Sequence, residues 1–254
     1  PESAEAFATE DGYSLSGKLC EVPFAADADK IIASVRIAGK GNTPQEEETV
    51  VVISKDHPSV SLRKLPGTDE TYPIYEVAIN NYPLSNADIV KGIGMGTGHK
   101  LMNKVKQLGA LLAASEMVGS SERALYDTVE YTKERKQFGV VIAKFQALKH
   151  MAADMYLKVE SAKSAVEYTA WALESGDPEA ELSVSIAKSY ASSAAKKVTG
   201  DAIQMQGGIG FTWENDMHLF FKRATRTAFL YGDSYTHNEK IAKAAIDALV
   251  AAAK

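Results

Sequence analysis

The hydrophobic period of this chain changes once, near residue 92, and that change decides most of what it can fold into. Before it, short runs rich in β-branched residues are separated by turn residues. Tyr13-Ser14-Leu15-Ser16-Gly17 alternates, and Lys30–Ile37 reads as a mostly buried strand. Thr49-Val50-Val51-Val52-Ile53 is β-branched throughout, and Tyr75–Ile79 alternates again. Asp11-Gly12, Gly39-Lys40-Gly41-Asn42, His57-Pro58 and Pro66-Gly67 mark the turns between them. Runs at this spacing predict an antiparallel barrel or sandwich. After residue 100 the period is helical. Leu101, Val105, Leu108, Leu112, Met117 and Val118 form one apolar stripe, followed by Leu125 and Val129. A second helix is expected over 145–173, with Leu148, Met151, Ala152, Met155 and Val159 inward. Ser175-Gly176-Asp177-Pro178 ends it. A third runs over 179–205 to Gly207-Gly208, and two shorter ones cover 216–230 and 238–252. Long helices on short loops make an antiparallel bundle. The expected fold class is α+β, with a β domain over 1–92 and a helical bundle over 93–254.

Composition matters here for what it excludes. The formal net charge is -5, and no long basic run offers a track for nucleic acid. No apolar stretch approaches the roughly 18 residues that suggest a membrane span. Cys20 is the single cysteine, so an internal disulfide is impossible, and with scattered histidines no metal site is expected. Residue 1 is Pro, no export signal is legible, and the default setting is a reducing cytoplasm.

Several places could carry chemistry. Gly94-x-Gly96-x-Gly98 lacks both dinucleotide and Walker spacing and reads as a hinge between the domains. Gln204-Met205-Gln206-Gly207-Gly208-Ile209-Gly210-Phe211 closes the third helix, either as an ordinary cap and turn or as open backbone that a ligand can approach. Tyr131–Gly139 closes the first helix. Its cations suit the negative end of a helix dipole, and the planar fork of Arg135 also suits a phosphate. His237, near the start of the last helix, reads as structural. Glu116 and Glu122 lie mid-helix on what reads as a solvated face.

Taken together, the ERKQFG run at 134–139, Phe145-Gln146-Ala147, the QMQGGIGF run at 204–211 and Phe221-Lys222-Arg223-Ala224 resemble the C-terminal domain of the acyl-CoA dehydrogenases. Asp11-Gly12-Tyr13, the Gly17 turn and Val77-Ala78-Ile79-Asn80-Asn81-Tyr82-Pro83 resemble that family's central β domain. The resemblance implies an FAD-dependent oxidoreductase of lipid β-oxidation type. It removes the α proton of an acyl-CoA with a carboxylate and passes the β hydrogen to flavin as hydride. Electron-transfer flavoprotein is the implied acceptor. Carried over, Arg135, Gln137 and Phe138 meet the FAD pyrophosphate, with Gln146 nearby. Gln204, Gly207 and Gly208 cradle the dinucleotide across a subunit boundary. Ser234 and Thr236 fall at flavin-contacting positions.

Several departures stand out. The family's catalytic Glu follows the Tyr of a Y-E-G-T run, which here reads Tyr231-Gly232-Asp233-Ser234. Relatives that place the acid in the first long helix have Glu-Arg where this chain has Gly109-Ala110. Where the family carries W-I-T-N beside the flavin, this chain has Glu21-Val22-Pro23-Phe24. The family's N-terminal helical domain is not part of the sequence as given. Three readings stay open. The chain is the non-catalytic subunit of a heteromeric enzyme, or Asp233 is a displaced base, or the chain is a silent scaffold within a homo- or hetero-oligomer.

Overall fold

The computed structural model describes residues 4–9, 12–37, 48–90 and 98–252. It divides into two compact units, one ending at Val105 and the other beginning at Lys106. Asp11, the Gly39–Asn42 run, Gly94 and Gly96 lie outside the described residues.

The first unit is built on one sheet. Its strands are β1 (Glu5–Thr9), β2 (Gly12–Pro23), β3 (Lys30–Ile37), β4 (Glu48–Ser54), β5 (Val60–Leu65) and β6 (Ile74–Leu84). They are ordered β4-β3-β1-β2-β6-β5. The predicted β character holds, and the architecture is refined in two ways. Among the described residues the sheet does not close into a barrel, since β4 and β5 remain its two edges. It is also not wholly antiparallel, because β3 lands on the far side of β1 from β2 and pairs with it in parallel. Within β3, Ile31, Ala33, Val35 and Ile37 point into the core while Ile32 is 71% exposed, so the run alternates instead of being buried on both faces. Leu15, Val51, Ile53, Val77 and Leu84 complete that core. The backbone N–H of Ser54 donates to the Tyr82 hydroxyl at 3.2 Å, tying β4 to β6 across it.

The helical elements are α1 (Gly98–Glu134), α2 (Gln146–Ser175), α3 (Ala180–Gln206), α4 (Met217–Thr227) and α5 (Ser234–Ala252). A minimal hairpin, β7 (Lys136–Gln137) with β8 (Val140–Val141), joins α1 to α2. In the second unit α3 is the hub, packed against α2, α4 and α5. Its run of small residues makes this possible: Ala187, Ala191, Ala194, Ala195 and Ala202 are all buried and let neighbouring axes approach closely. Two apolar clusters result. One joins Met117 and Val118 to Ala162, Ala191 and Ala224, and the other joins Leu125 to Met155, Val159, Val198 and Met205. The expected inward face of α2 holds. The expected stripe of α1 holds only in its later half. Met117, Val118 and Leu125 are buried, but Leu108 and Leu112 are 53% and 68% exposed. Ala110, Ala113 and Ala114 take the inward positions beside them, so the buried row runs through small residues that a hydropathy pattern underweights.

Candidate functional site

Two sequence motifs meet where α1 and α3 end. Arg135 directly follows α1, its N–H donating to the Tyr131 carbonyl at 2.9 Å and its carbonyl accepting from the Ile142 N–H at 2.8 Å. Those bonds set the direction in which the hairpin leaves the helix. At the hairpin tip Phe138 adopts a left-handed φ of 53° and its ring is 90% exposed, edge-on to Phe145 at 6.1 Å. The guanidinium of Arg135 is exposed and has no side-chain partner among the described residues. Facing it, α3 ends at Gln206 and the chain turns through Gly207 and Gly208. A methyl group added at either glycine would touch nothing within 4 Å, so this backbone is open to a ligand. A cleft of about 370 Å³ gathers Arg135, Gln137, Gln206, Gly207 and Gly208 over a floor of Ile142 and Met205.

The cleft therefore unites Arg135, Gln137, Gly207 and Gly208. Gln204 is exposed on α3, and it is Gln206 that lines the cleft. The Gln206 side chain is buried, its Nε2 donating to Thr128 Oγ1 at 3.0 Å and its Oε1 accepting from Asn215 Nδ2 at 2.5 Å. Gln206 thus ties the Gly-Gly turn to α1. Residues 204 and 206 lie about 200° apart around a helix, so only one of them can face α1. Gln146, at the first position of α2, is exposed and outside the cleft lining. Ser234 and Thr236 sit at the start of α5, and Ser234 borders a separate groove of about 820 Å³ between α3 and α5.

The turn that leads into α5 is the second constructed place. Lys188 of α3 is fully buried, and its ammonium donates to the carbonyls of Ala228 and Gly232 at 2.9 and 3.0 Å and to Ser192 Oγ at 3.2 Å. Burial pushes this lysine down to about 8, with the charge of Asp233 opposing the fall. His237, also buried, stands 3.1 Å from the Tyr231 carbonyl through Nε2 and 3.2 Å from Ser185 Oγ through Nδ1. Burial holds its pKa below the ordinary histidine value, the Tyr231 carbonyl pulling the other way.

Tyr231 and Gly232 both have positive φ, 58° and 100°. A Cβ at Gly232 would stand 3.0 Å from His237 Nε2. A Cβ at Gly109 would stand 2.4 Å from the Tyr231 ring, so that ring lies directly on bare α1 backbone. Asp233 caps α5. Its Oδ1 accepts the Thr236 N–H at 2.9 Å and the Thr236 hydroxyl at 2.7 Å, and these bonds hold the carboxyl below the ordinary range. Elsewhere the acids differ from expectation. Glu116 pairs with Arg223 at 2.8 Å and Arg226 at 3.6 Å, and Glu122 with Lys163 at 3.5 Å, so both brace helices instead of facing open solvent. At the Glu21–Phe24 stretch, Glu21 and Phe24 have positive φ and Phe24 packs edge-on against Tyr72.

The family model for the acyl-CoA dehydrogenase C-terminal domain matches residues 96–246. The chain belongs to the acyl-CoA dehydrogenase family. It is 46% identical over 123 residues to the acyl-CoA dehydrogenase IpdE2 of Mycolicibacterium smegmatis, covering 48% of this chain and 38% of that one. It is 39% identical over 119 residues to CarC of Acetobacterium woodii, a subunit of a caffeyl-CoA reductase–Etf complex, covering 47% of this chain and 31% of that one. The butyryl-CoA dehydrogenase structure from Megasphaera elsdenii superposes with a TM-score of 0.88 at 25% identity, over 96% of this chain and 63% of that one. This acyl-CoA dehydrogenase chain thus matches under two fifths of the length of those curated relatives. The resemblance carried by ERKQFG and QMQGGIGF holds, and so does the α+β fold class. Among the described residues, no helix is long and apolar enough to cross a membrane.

Proposed function

We propose that this chain is the subunit of a heteromeric acyl-CoA dehydrogenase that completes a shared FAD site without supplying the catalytic acid. The observation that carries the reading is the cleft joining Arg135 and Gln137 to Gly207 and Gly208. An unpaired guanidinium opposite open backbone is a donor set for a pyrophosphate. A cleft of about 370 Å³ takes that central part of FAD and leaves both ends to other surfaces, which supports a site shared between chains. Phe138, almost wholly exposed beside it, suits contact with a neighbouring chain or the cofactor. When bound, FAD supplies the hydride acceptor. Arg135 and Gln137 orient it, while Gln206 holds the Gly-Gly turn in register with α1. Ser234 and Thr236 keep the flavin-side role that the family pattern gives them, and Gln146 and Gln204 contribute from exposed positions at the helix ends.

The family's two acid positions support the second half of the proposal. Gly232 and Gly109 carry no carboxylate: a side chain at Gly109 would run into the Tyr231 ring, and one at Gly232 would be strained by the positive φ and tight against His237. Asp233 is the neighbouring acid, and its cap bonds make it a weaker proton acceptor. The base for the α proton of an acyl-CoA then comes from the partner chain. That the relative CarC is itself a complex subunit is consistent with such an assembly and with an electron-transfer flavoprotein as acceptor. The test is flavin content. The chain purified alone is expected to be colourless, and co-expression with its partner to give a yellow complex that oxidises an acyl-CoA. A full complement of FAD on the isolated chain contradicts the shared-site reading. A complex that assembles but never takes up flavin favours the scaffold reading instead.

A further inference from the structure

We propose that Lys188 and His237 are positioning residues that clamp the turn of residues 228–233, keeping the Tyr231 ring seated on Gly109 so that the turn stays closed. The inference rests on the reading above only in taking this turn as the corner from which the family's acid is missing; the clamp itself is a property of this chain.

Three backbone carbonyls in five residues, those of Ala228, Tyr231 and Gly232, are bound by two buried side chains from two helices. Ala228 is the C-cap residue of α4, where carbonyls lack helical partners, so the Lys188 ammonium supplies the donor its carbonyl would otherwise lack. Tyr231 holds a left-handed conformation that a bulky residue keeps only when its surroundings impose it. Its carbonyl is fixed by His237 and its ring rests where α1 has no side chain. A larger residue at 109 displaces the ring; a lost clamp frees the strained backbone.

The charged and titratable groups facing Lys188 are Asp233 on the turn, Lys196 on its own helix and His237 on α5, with Lys240 acting on His237 from α5. Lys188 and His237 both bind a proton less readily in the closed turn than in water. An opened turn therefore takes up protons, and rising pH favours closure, for Lys188 in the window from about 8 towards the ordinary lysine value.

The test is amide hydrogen exchange of the segment 228–237 in the full-length protein with its native partner, compared with α2 as an internal reference. Lys188→Met keeps the buried volume and removes the donor; His237→Gln is the second variant. The expected result is exchange at least about tenfold faster in 228–237 for each variant, with α2 unchanged. In the unmodified protein, protection corrected for intrinsic exchange rises above pH 8 by up to about tenfold per unit, and this rise is absent in Lys188→Met. Unchanged exchange at 228–237 in both variants overturns the proposal. So does equal acceleration in α2, which makes the two residues general core supports. Arg135→Ala reports separately on the shared-site reading, since it removes a cleft residue and leaves the clamp intact: FAD content falls while exchange at 228–237 stays as in the unmodified protein.

Discussion

A single glycine states the catalytic problem most sharply. On the proposed reading Gly232 stands where the family pattern has its acid, yet its φ of 100° strains any side chain there and a Cβ would crowd His237 Nε2 at 3.0 Å. Gly232→Glu is therefore expected to strain the turn by about 1–3 kcal/mol, read as a lowered denaturant midpoint. It is also expected to leave a complex inactive when the partner's own acid has been removed; recovered turnover in that complex would mean this chain can host the base. Asp233 separates capping from catalysis. Asp233→Asn keeps an N-cap acceptor and is expected to preserve both the melting temperature and turnover of the complex, whereas Asp233→Ala lowers the melting temperature. A large loss of turnover in Asp233→Asn at unchanged stability assigns the base to this chain. His237 adds a pH dependence. Its pKa is depressed in the folded chain, so its contribution is present above the unfolded value near 6.5 and lost as pH falls through the folded one. Chemical unfolding between pH 7 and 5 is expected to show a steeper loss of stability in the native protein than in His237→Gln.

Among the elements, α3 bears most of the packing, and the sequence made its importance readable through an alanine-serine run with a hard stop at Gly207. Met155 of α2 is fully buried against this hub, so Met155→Ala is expected to cost about 2–5 kcal/mol in denaturant unfolding, while Leu112→Ala, mostly exposed on α1, changes little. Equal effects from the two would put the core of the bundle elsewhere. The contrast also shows where reading the sequence failed. Leu112 and Leu108 look like core by hydropathy, but Ala110, Ala113 and Ala114 have the small volume that close helix packing selects. β1 is not legible because Glu5–Thr9 has two alanines and weak β propensity, and β5 because its alternation spans only Val60–Arg63 before Lys64 breaks it. The start of α5 at Ser234 was four residues earlier than periodicity suggested, since its first turn is polar and held by the Asp233 cap.

At the scale of the molecule, the α+β class and nearly every helix were legible because turn chemistry and period agreed. The parallel β1–β3 pairing was not, because strand order depends on long-range pairing that no local pattern encodes. Of the candidate cleft, Arg135, Gln137, Gly207 and Gly208 could be named from their motifs, since motifs preserve chemistry as well as spacing. Gln206, Lys188 and the seat of Tyr231 on Gly109 could not, because each depends on which residue of another helix lies opposite. The central claim is that Arg135 and the Gly-Gly turn form one dinucleotide seat. FAD affinity of the assembled complex carrying Arg135→Ala tests it most directly. Loss of a charge-assisted contact of about 1.5–3 kcal/mol predicts binding weaker by at least about tenfold, with the complex still assembled. Undiminished FAD affinity in that complex contradicts the account.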